Sequence, residues 1–302
     1  MKIIRIIILL LACQAVSAQQ LAPFSQYMLN PYSINPAVSG TEDFYQMRLN
    51  YRNQWAGLDG APTTYYLSYY GRKPRNLNTG LGVIAYSDNM GPTKRSGFQG
   101  SYTHHLKLND STKLALGLGL GMINFSINTN DIYVKDKDDL LFTSGKLSST
   151  QPDASFGMYL YNPKYYIGVS IQQLMQSELN WPYAKSKMSG HKFIMAGYRF
   201  KVKQKLVVEP SILVRHVTPV PVQIDAGLTF DFMDRVKFGA QYRTDDAISV
   251  IVGYNFKRKM YFGYSYDFTT SELKNYSSGT HEILLGYRFV KYEEEEESQM
   301  TY

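Results

Sequence analysis

From Phe44 onward, apolar and polar residues alternate for about ten positions, pause at a turn and resume, again and again to the chain end. In the clearest stretch Tyr45, Met47, Leu49 and Tyr51 share one parity, while Gln46, Arg48, Asn50, Arg52 and Gln54 hold the other. A strand points successive side chains to opposite faces, so this segment has one greasy face and one wet face. A water-soluble sandwich would turn the greasy face to a core. An outer-membrane barrel would turn it to lipid and the wet face to the lumen.

The parity can be followed along the chain. Phe98, Tyr102, Leu106 and Leu108 oppose Gln99, Ser101, Thr103, Lys107 and Asn109. Leu114, Leu116, Leu118, Leu120 and Met122 oppose Lys113, Gly117, Gly119 and Gly121. Val222, Ile224, Ala226, Leu228, Phe230 and Phe232 alternate with Gln223, Asp225, Gly227, Thr229 and Asp231; Met260, Phe262, Tyr264, Tyr266 and Phe268 alternate with Gly263, Ser265, Asp267 and Thr269. Weaker segments surround Leu67, Ile84, Phe156, Ile167, Met195, Val208, Phe238, Val252 and Leu285, for a total of about fourteen antiparallel strands. An even number puts both termini of a transmembrane β-barrel on the periplasmic side.

Connection lengths favour the membrane. Asn109-Asp110-Ser111, Asn162-Pro163, Lys203-Gln204-Lys205, Met233-Asp234 and Lys257-Arg258 are tight. The intervening connections are longer, notably Asn128 to Pro152, Leu174 to Gly190 and Thr270 to Gly279. Short periplasmic turns and long external loops are the asymmetry of such barrels, and a soluble sandwich has no reason to produce it.

The first residues agree. Lys2 and Arg5, an apolar run from Ile6 to Ala12, and Val16-Ser17-Ala18 before Gln19 read as a secretory signal over residues 1–18. Leu10-Leu11-Ala12-Cys13 also reads as a lipoprotein box, although Leu11 is bulky there and the apolar run short. Cys13 is the single cysteine, so a mature chain starting at Gln19 has no disulfide or thiol chemistry. No later apolar run approaches the ~18 residues of a membrane helix. A membrane-spanning mature chain would therefore span as strands.

The 26 tyrosines point the same way. Tyr65, Tyr66, Tyr69, Tyr86, Tyr102, Tyr165, Tyr166, Tyr254, Tyr264 and Tyr287 fall near strand ends, where an amphipathic ring can sit at head-group level. The formal charge is +7. It includes the two signal cations and is offset by the acids Glu293 to Glu297, so the barrel between them carries an excess of about ten positive charges. That excess suits anionic head groups or an acidic partner, or is simply a solvated surface. The chain thus divides into the signal, a non-strand segment at 19–42, a barrel at 43–292 and an acidic, disordered tail at 293–302.

In the non-strand segment, Asn30-Pro31 and Asn35-Pro36 with Gly40 argue for successive turns. Phe24, Tyr27, Met28 and Leu29 need burial, which the periplasmic mouth or the lumen would offer; a partner-docking role is the alternative. Phe24-Ser25-Gln26-Tyr27-Met28, Asn30-Pro31 and Asn35-Pro36-Ala37 form one motif block. Arg52-Asn53-Gln54-Trp55 and Gly60-Ala61-Pro62-Thr63-Thr64 form another, in the first external connection. With Asp88-Asn89-Met90-Gly91-Pro92 and His281-Glu282-Ile283, these blocks closely resemble the PorP/SprF family of type IX secretion system membrane proteins from Bacteroidetes. The resemblance covers essentially the whole mature chain. It implies an outer-membrane barrel that delivers or holds secreted surface proteins, including gliding adhesins, and that can associate with the periplasmic part of the machine.

No enzyme, cofactor or metal motif accompanies it, and nothing points to nucleic acid. His104, His105, His191, His216 and His281 lack metal-site spacing, and adjacent His104 and His105 would point to opposite faces. Ser265, His281 and Asp267 could meet as a hydrolytic trio only by the chance that any barrel offers. Gly117-Leu118-Gly119-Leu120-Gly121 lies within a strand and implies close luminal packing, not a phosphate cradle. Two readings remain. One is a non-enzymatic barrel in outer-membrane lipid that binds a secreted adhesin or its C-terminal domain and docks periplasmic type IX components. The other is a solute channel lined by Arg48, Arg52, Gln99, Lys113, Asp225 and Arg243. For the first, Tyr133, Leu141, Phe142, Trp181 and Tyr183 in the long connections are the expected outward contacts, since exposed apolar anchors need cover.

Overall fold

The computed structural model describes residues 23–73, 78–132, 145–181, 184–202 and 205–289. The wall begins with β1 (Tyr45–Asn53), β2 (Thr63–Arg72), β3 (Thr79–Met90) and β4 (Thr93–Lys107). It continues through β5 (Lys113–Asn128), β6 (Lys146–Tyr161) and β7 (Tyr165–Gln172). A short hairpin, β8 (Glu178–Trp181) and β9 (Ala184–Lys187), stands apart from it. The wall resumes with β10 (His191–Tyr198), β11 (Phe200–Val202), β12 (Leu206–His216) and β13 (Gln223–Phe232), then β14 (Val236–Arg243), β15 (Ala247–Phe256), β16 (Met260–Thr269) and β17 (Thr280–Phe289).

Every neighbouring pair is antiparallel, and the sheet closes because β1 pairs with β17 while β10 pairs with both β7 and β12. β10 and β11 are two stretches of one barrel strand, interrupted at Arg199 and both laid against β12. Among the described residues the barrel therefore has 14 strands. Closure leaves no sheet edge, which is what strands need in hydrocarbon.

The two parities separate as the alternation requires. Met47, Leu49, Leu118, Leu120, Phe230, Phe262 and Phe268 are exposed on the outer face, whereas Gln46, Arg48, Asn50, Arg52, Asp225 and Asp267 are buried inside. An apolar belt this continuous, with no protein over it, is a lipid-facing surface.

Some expectations change. Tyr65, Tyr69, Tyr102 and Tyr254 do face outward, but Tyr66, Tyr86 and Tyr166 turn into the lumen, where Tyr66 and Tyr166 are buried. They share a parity with luminal residues, and parity outranks a tyrosine's preference for the head-group level. The connection expected from Asn128 to Pro152 is shorter, because β6 already begins at Lys146 and pairs with β5 up to Asn128. The Leu174-to-Gly190 segment contains the β8–β9 hairpin. Two connections at the long-loop end, Met90–Thr93 and Arg243–Ala247, are tight turns. The expected tail at 293–302 lies outside the described residues.

The segment before β1 folds into three short 3-10 turns, Tyr27–Leu29, Pro31–Ser33 and Pro36–Val38. Pro31 and Pro36 open the second and third, where a missing N–H costs nothing. Asn35 caps the third, its side chain accepting from the Ala37 N–H at 2.9 Å. This segment lies inside the barrel as a plug.

Candidate functional site: a plugged lumen and the cavity above it

The plug is held by charge on one side. Ser25 donates its backbone N–H to Glu282 Oε2 at 2.8 Å and its hydroxyl to Asp267 Oδ2 at 2.7 Å. The Gln26 N–H reaches Glu282 Oε1 at 3.2 Å, and its side chain reaches the Glu282 carbonyl at 3.3 Å. Arg52 bridges both acids, at 3.0 Å to Glu282 and 2.8 Å to Asp267, and also donates to Ser25 Oγ at 3.1 Å. From the other flank Arg243 donates to Ser25 Oγ at 3.2 Å, to Asp225 at 3.2 Å and to Asp246 at 3.1 Å; Arg215 also pairs with Asp225.

Register builds this cluster. Arg52 lies directly opposite Glu282 across β1 and β17, and Asp225 opposite Arg243 across β13 and β14. Opposed unlike charges on one face stabilise such pairs. Arg52, Arg243, Asp225 and Glu282 are all essentially without solvent contact. Such charges tolerate burial only because each is paired and hydrogen-bonded.

On the facing side the plug meets rings and backbone. Tyr32 stacks on Tyr70 with centroids 4.3 Å apart and shares a 2.7 Å hydrogen bond with Ser101. Asn35 donates to the carbonyls of Met158 and Val169 at 3.0 and 3.2 Å. Thr103 donates to the Pro36 carbonyl at 2.8 Å, and Gln172 to those of Ser33 and Ile34 at 2.9 Å. Tyr27 shares a 3.2 Å hydrogen bond with Ser211, and burial pushes its phenol up to about 12, so the group stays neutral at any physiological pH. Asn30 donates to Asn50 at 3.0 Å, while Pro31 faces the opening at the tight-turn end.

Inward glycines make room for this. A Cβ at Gly117 would fall on the Ala37 backbone, at Gly157 on the Asn35 side chain, and at Gly80 on the Ser39 carbonyl. The glycine stripe of β5 thus serves close luminal packing, with Gly117 under the plug and Gly119 against Gln99 and Ser155.

Above the plug, toward the long loops, lies a cavity of about 850 Å³, including its solvent-open part. Phe24, Ile34, Tyr66, Ile84, Phe193 and Leu213 supply apolar walls; Asp88, Arg95, Asp153 and Arg215 add charge. Phe24 meets the Tyr66 ring edge-on at 5.5 Å. The Tyr66 hydroxyl and the Gln173 side-chain oxygen are buried here without a hydrogen-bond partner among the described residues.

The first-loop motif acts as a clasp. The Gln54 N–H bonds the Pro62 carbonyl at 2.9 Å, and Trp55, at φ 52°, donates its N–H to Thr280 at 3.0 Å. Ala56 exchanges backbone bonds with Gly279 and Ser278, and the Gly60 carbonyl accepts from Gly91 at 2.9 Å. Asn53 ends β1 opposite His281 and Thr63, and Ala61 donates its N–H to the Leu58 carbonyl at 3.2 Å. Three connections are thereby tied at one rim.

Of the expected outward contacts, Tyr133, Leu141, Phe142 and Tyr183 lie outside the described residues. Trp181 is half-buried against Ile123, Leu179 and Met188, within its own chain. The chance hydrolytic trio does not assemble: Ser265 and Asp267 face the lumen, whereas His281 sits on the other parity and shares a 2.8 Å hydrogen bond with Tyr264. His104 and His105 part as expected, His105 turning inward to the Ser39 carbonyl at 2.8 Å. Reading by motif missed Ser25 as the hub of the cluster. Its signal was a lone hydroxyl beside arginine and acid positions of luminal parity in β1, β16 and β17.

A closed antiparallel barrel with a lipid-facing belt defines an outer-membrane β-barrel protein. Residues 16–287 match the family of type IX secretion system membrane proteins PorP/SprF, and the chain belongs to that family. No curated protein matches it. Among solved structures it is similar to the Pseudomonas putida toluene transporter TodX (TM-score 0.49, 8% identity, 84% of this chain and 92% of that one). It is also similar to the CymD monoaromatic hydrocarbon channel (0.49, 12%, 89% and 92%) and to Acinetobacter baumannii Omp33 (0.48, 8%, 82% and 99%).

Proposed function

We propose that this barrel works without turnover, as an outer-membrane anchor for a polypeptide exported by the type IX system, held at the long-loop end above a closed lumen. The observation that carries this reading is the plug: Ser25 and Gln26 are pinned by buried acids and arginines, so Arg52, Arg243 and, through Arg243, Asp225, which could otherwise line a path, are spent on holding it. In this reading the long-loop end faces the exterior and the tight turns face the periplasm. Membership of a type IX secretion family supports an exported polypeptide as the partner; in this reading it is a surface adhesin or its C-terminal domain, with periplasmic type IX components as further partners. The cavity above the plug and the rim carrying Leu174 and Met175 offer apolar contact.

The alternative, a small-solute channel, makes the opposite forecast. In planar bilayers the purified protein is expected to give no steady conductance, and an Arg52→Ala variant to give discrete openings. In cells, deleting Glu178–Lys187 or filling the cavity with Ile84→Trp is expected to release exported adhesin into the medium while the barrel stays heat-modifiable on gels. Open wild-type channels together with unchanged surface display in both variants would overturn the anchor reading.

A further inference from the structure

The tight-turn end carries a charge imbalance that the plug does not use. Under Met28 and Leu29 a vestibule of about 1970 Å³ opens to solvent. Arg199 pairs with Glu209 at 3.0 Å, Lys237 with Asp231, and Arg258 lies 3.8 Å from Asp234. Those pairs use up the vestibule's acids. Lys201, Lys205 and Arg235 line the same space, are exposed, and have no ion pair among the described residues. Three cations around one opening raise the local potential and favour an anionic occupant.

The chain leaves the barrel beside them. The Arg288 N–H bonds the Lys259 carbonyl at 2.7 Å, and its guanidinium lies 3.5 Å from Asp234, the neighbour of Arg235. β17 ends at Phe289, and the longest run of acids in the sequence, Glu293 to Glu297, follows within a few residues. At ~3.3–3.6 Å per extended residue, that run reaches about 13–29 Å from Phe289. With strands spaced at ~4.8 Å, the turns bearing Arg235 and Lys205 fall within that reach.

We propose that the acidic run Glu293–Glu297 folds back across the tight-turn end and occupies this basic vestibule, covering the underside of the plug. The contact needs no regular secondary structure; five carboxylates over three unpaired cations suffice. It would make the tail a competitor for any acidic segment approaching from that side. The proposal does not depend on which partner the other end holds.

Cysteine pairs test it, because Cys13 is the single native cysteine and can be replaced by serine. In that background, Glu295→Cys is combined with Val207→Cys on the vestibule wall or, as a control, with Asn109→Cys. Asn109 lies in the turn between β4 and β5, fewer strands from β17 than Val207 but beside the already paired Lys107 and Asp110. Mild oxidation of the assembled barrel is expected to link the 295–207 pair roughly ten-fold faster than 295–109, the combined effect of three screened surface pairs. That preference should vanish when Glu293, Glu294, Glu296 and Glu297 become Gln, or in about 1 M salt, where the Debye length falls to ~3 Å. Equal rates at the two turns, or a preference that survives both charge removal and salt, would overturn the proposal. Heat-modifiable mobility of each variant confirms that the barrel itself is assembled.

Discussion

The two walls of the lumen hold the same plug by different physics. From β13 round to β1 the inner face is ionic, with Arg52, Asp225, Arg243, Asp267 and Glu282 meeting Ser25 and Gln26. From β2 to β12 it is aromatic and aliphatic, with Tyr70, Tyr159, Tyr166, Phe193, Met195 and Leu213 packed round Tyr27, Tyr32, Ile34 and Ala37. The ionic wall supplies a few directional contacts that fail together if one charge is lost. The aromatic wall supplies many small contacts, each dispensable. Ser25 and Gln26 meet the first wall while Tyr32, Ile34 and Ala37 pack on the second, so the plug has a single way round.

The sharpest way to break this contrast is to remove one charge. Arg52→Ala leaves Asp267 short of one partner and Glu282 without its cation, and should cost about 3–5 kcal/mol because a buried charge loses its counterion. Denaturant unfolding in detergent would report the loss, and protease cleavage near Phe24 would report release of the plug. An unchanged midpoint with a protected N-terminal segment would mean the aromatic wall suffices alone.

Next in size is overpacking. Gly157→Val pushes a side chain into Asn35, and should cost about 1–3 kcal/mol while displacing the third turn of the plug. The parallel change Gly100→Val, where no heavy atom lies within 4 Å of the new Cβ, is the control and should leave the unfolding midpoint in place.

Tyr32→Phe keeps the ring stacked on Tyr70 and removes only the hydrogen bond to Ser101, with an expected cost of about 0.5–1.5 kcal/mol. The smallest effect belongs to Tyr66→Phe. Its hydroxyl has no partner among the described residues, so stability should change by about 0.5 kcal/mol or less, in either direction. A large loss at Tyr66 and none at Tyr32 would reverse the contact assignment on the aromatic wall.

Much of the barrel was legible because parity is a local property. Phe98, Leu118, Phe230 and Phe262 reveal their outward face from their immediate neighbours. The inward face was less legible, since residues of luminal parity can be Arg52 or Tyr166, and only the object inside the lumen says which is suitable. Tyr66, Tyr86 and Tyr166 were misread for that reason: head-group preference was applied to rings that are in fact luminal and face the plug or the cavity above it. Ser25 was overlooked because its partners Asp267 and Glu282 lie more than 200 residues away.

By itself, then, the sequence determined the strand periodicity, the antiparallel order, the outward belt and the family, all of which follow from neighbours two residues apart or from contiguous motifs. Tertiary structure decided that the non-strand segment would sit within the lumen rather than at its mouth or on a partner, that its two sides would be held by charge and by rings, and that a cavity would remain above it. Those outcomes depend on closure, which brings β1 against β17 and sets Arg52 opposite Glu282. Until the sheet closes there is no inside for a polar parity to face.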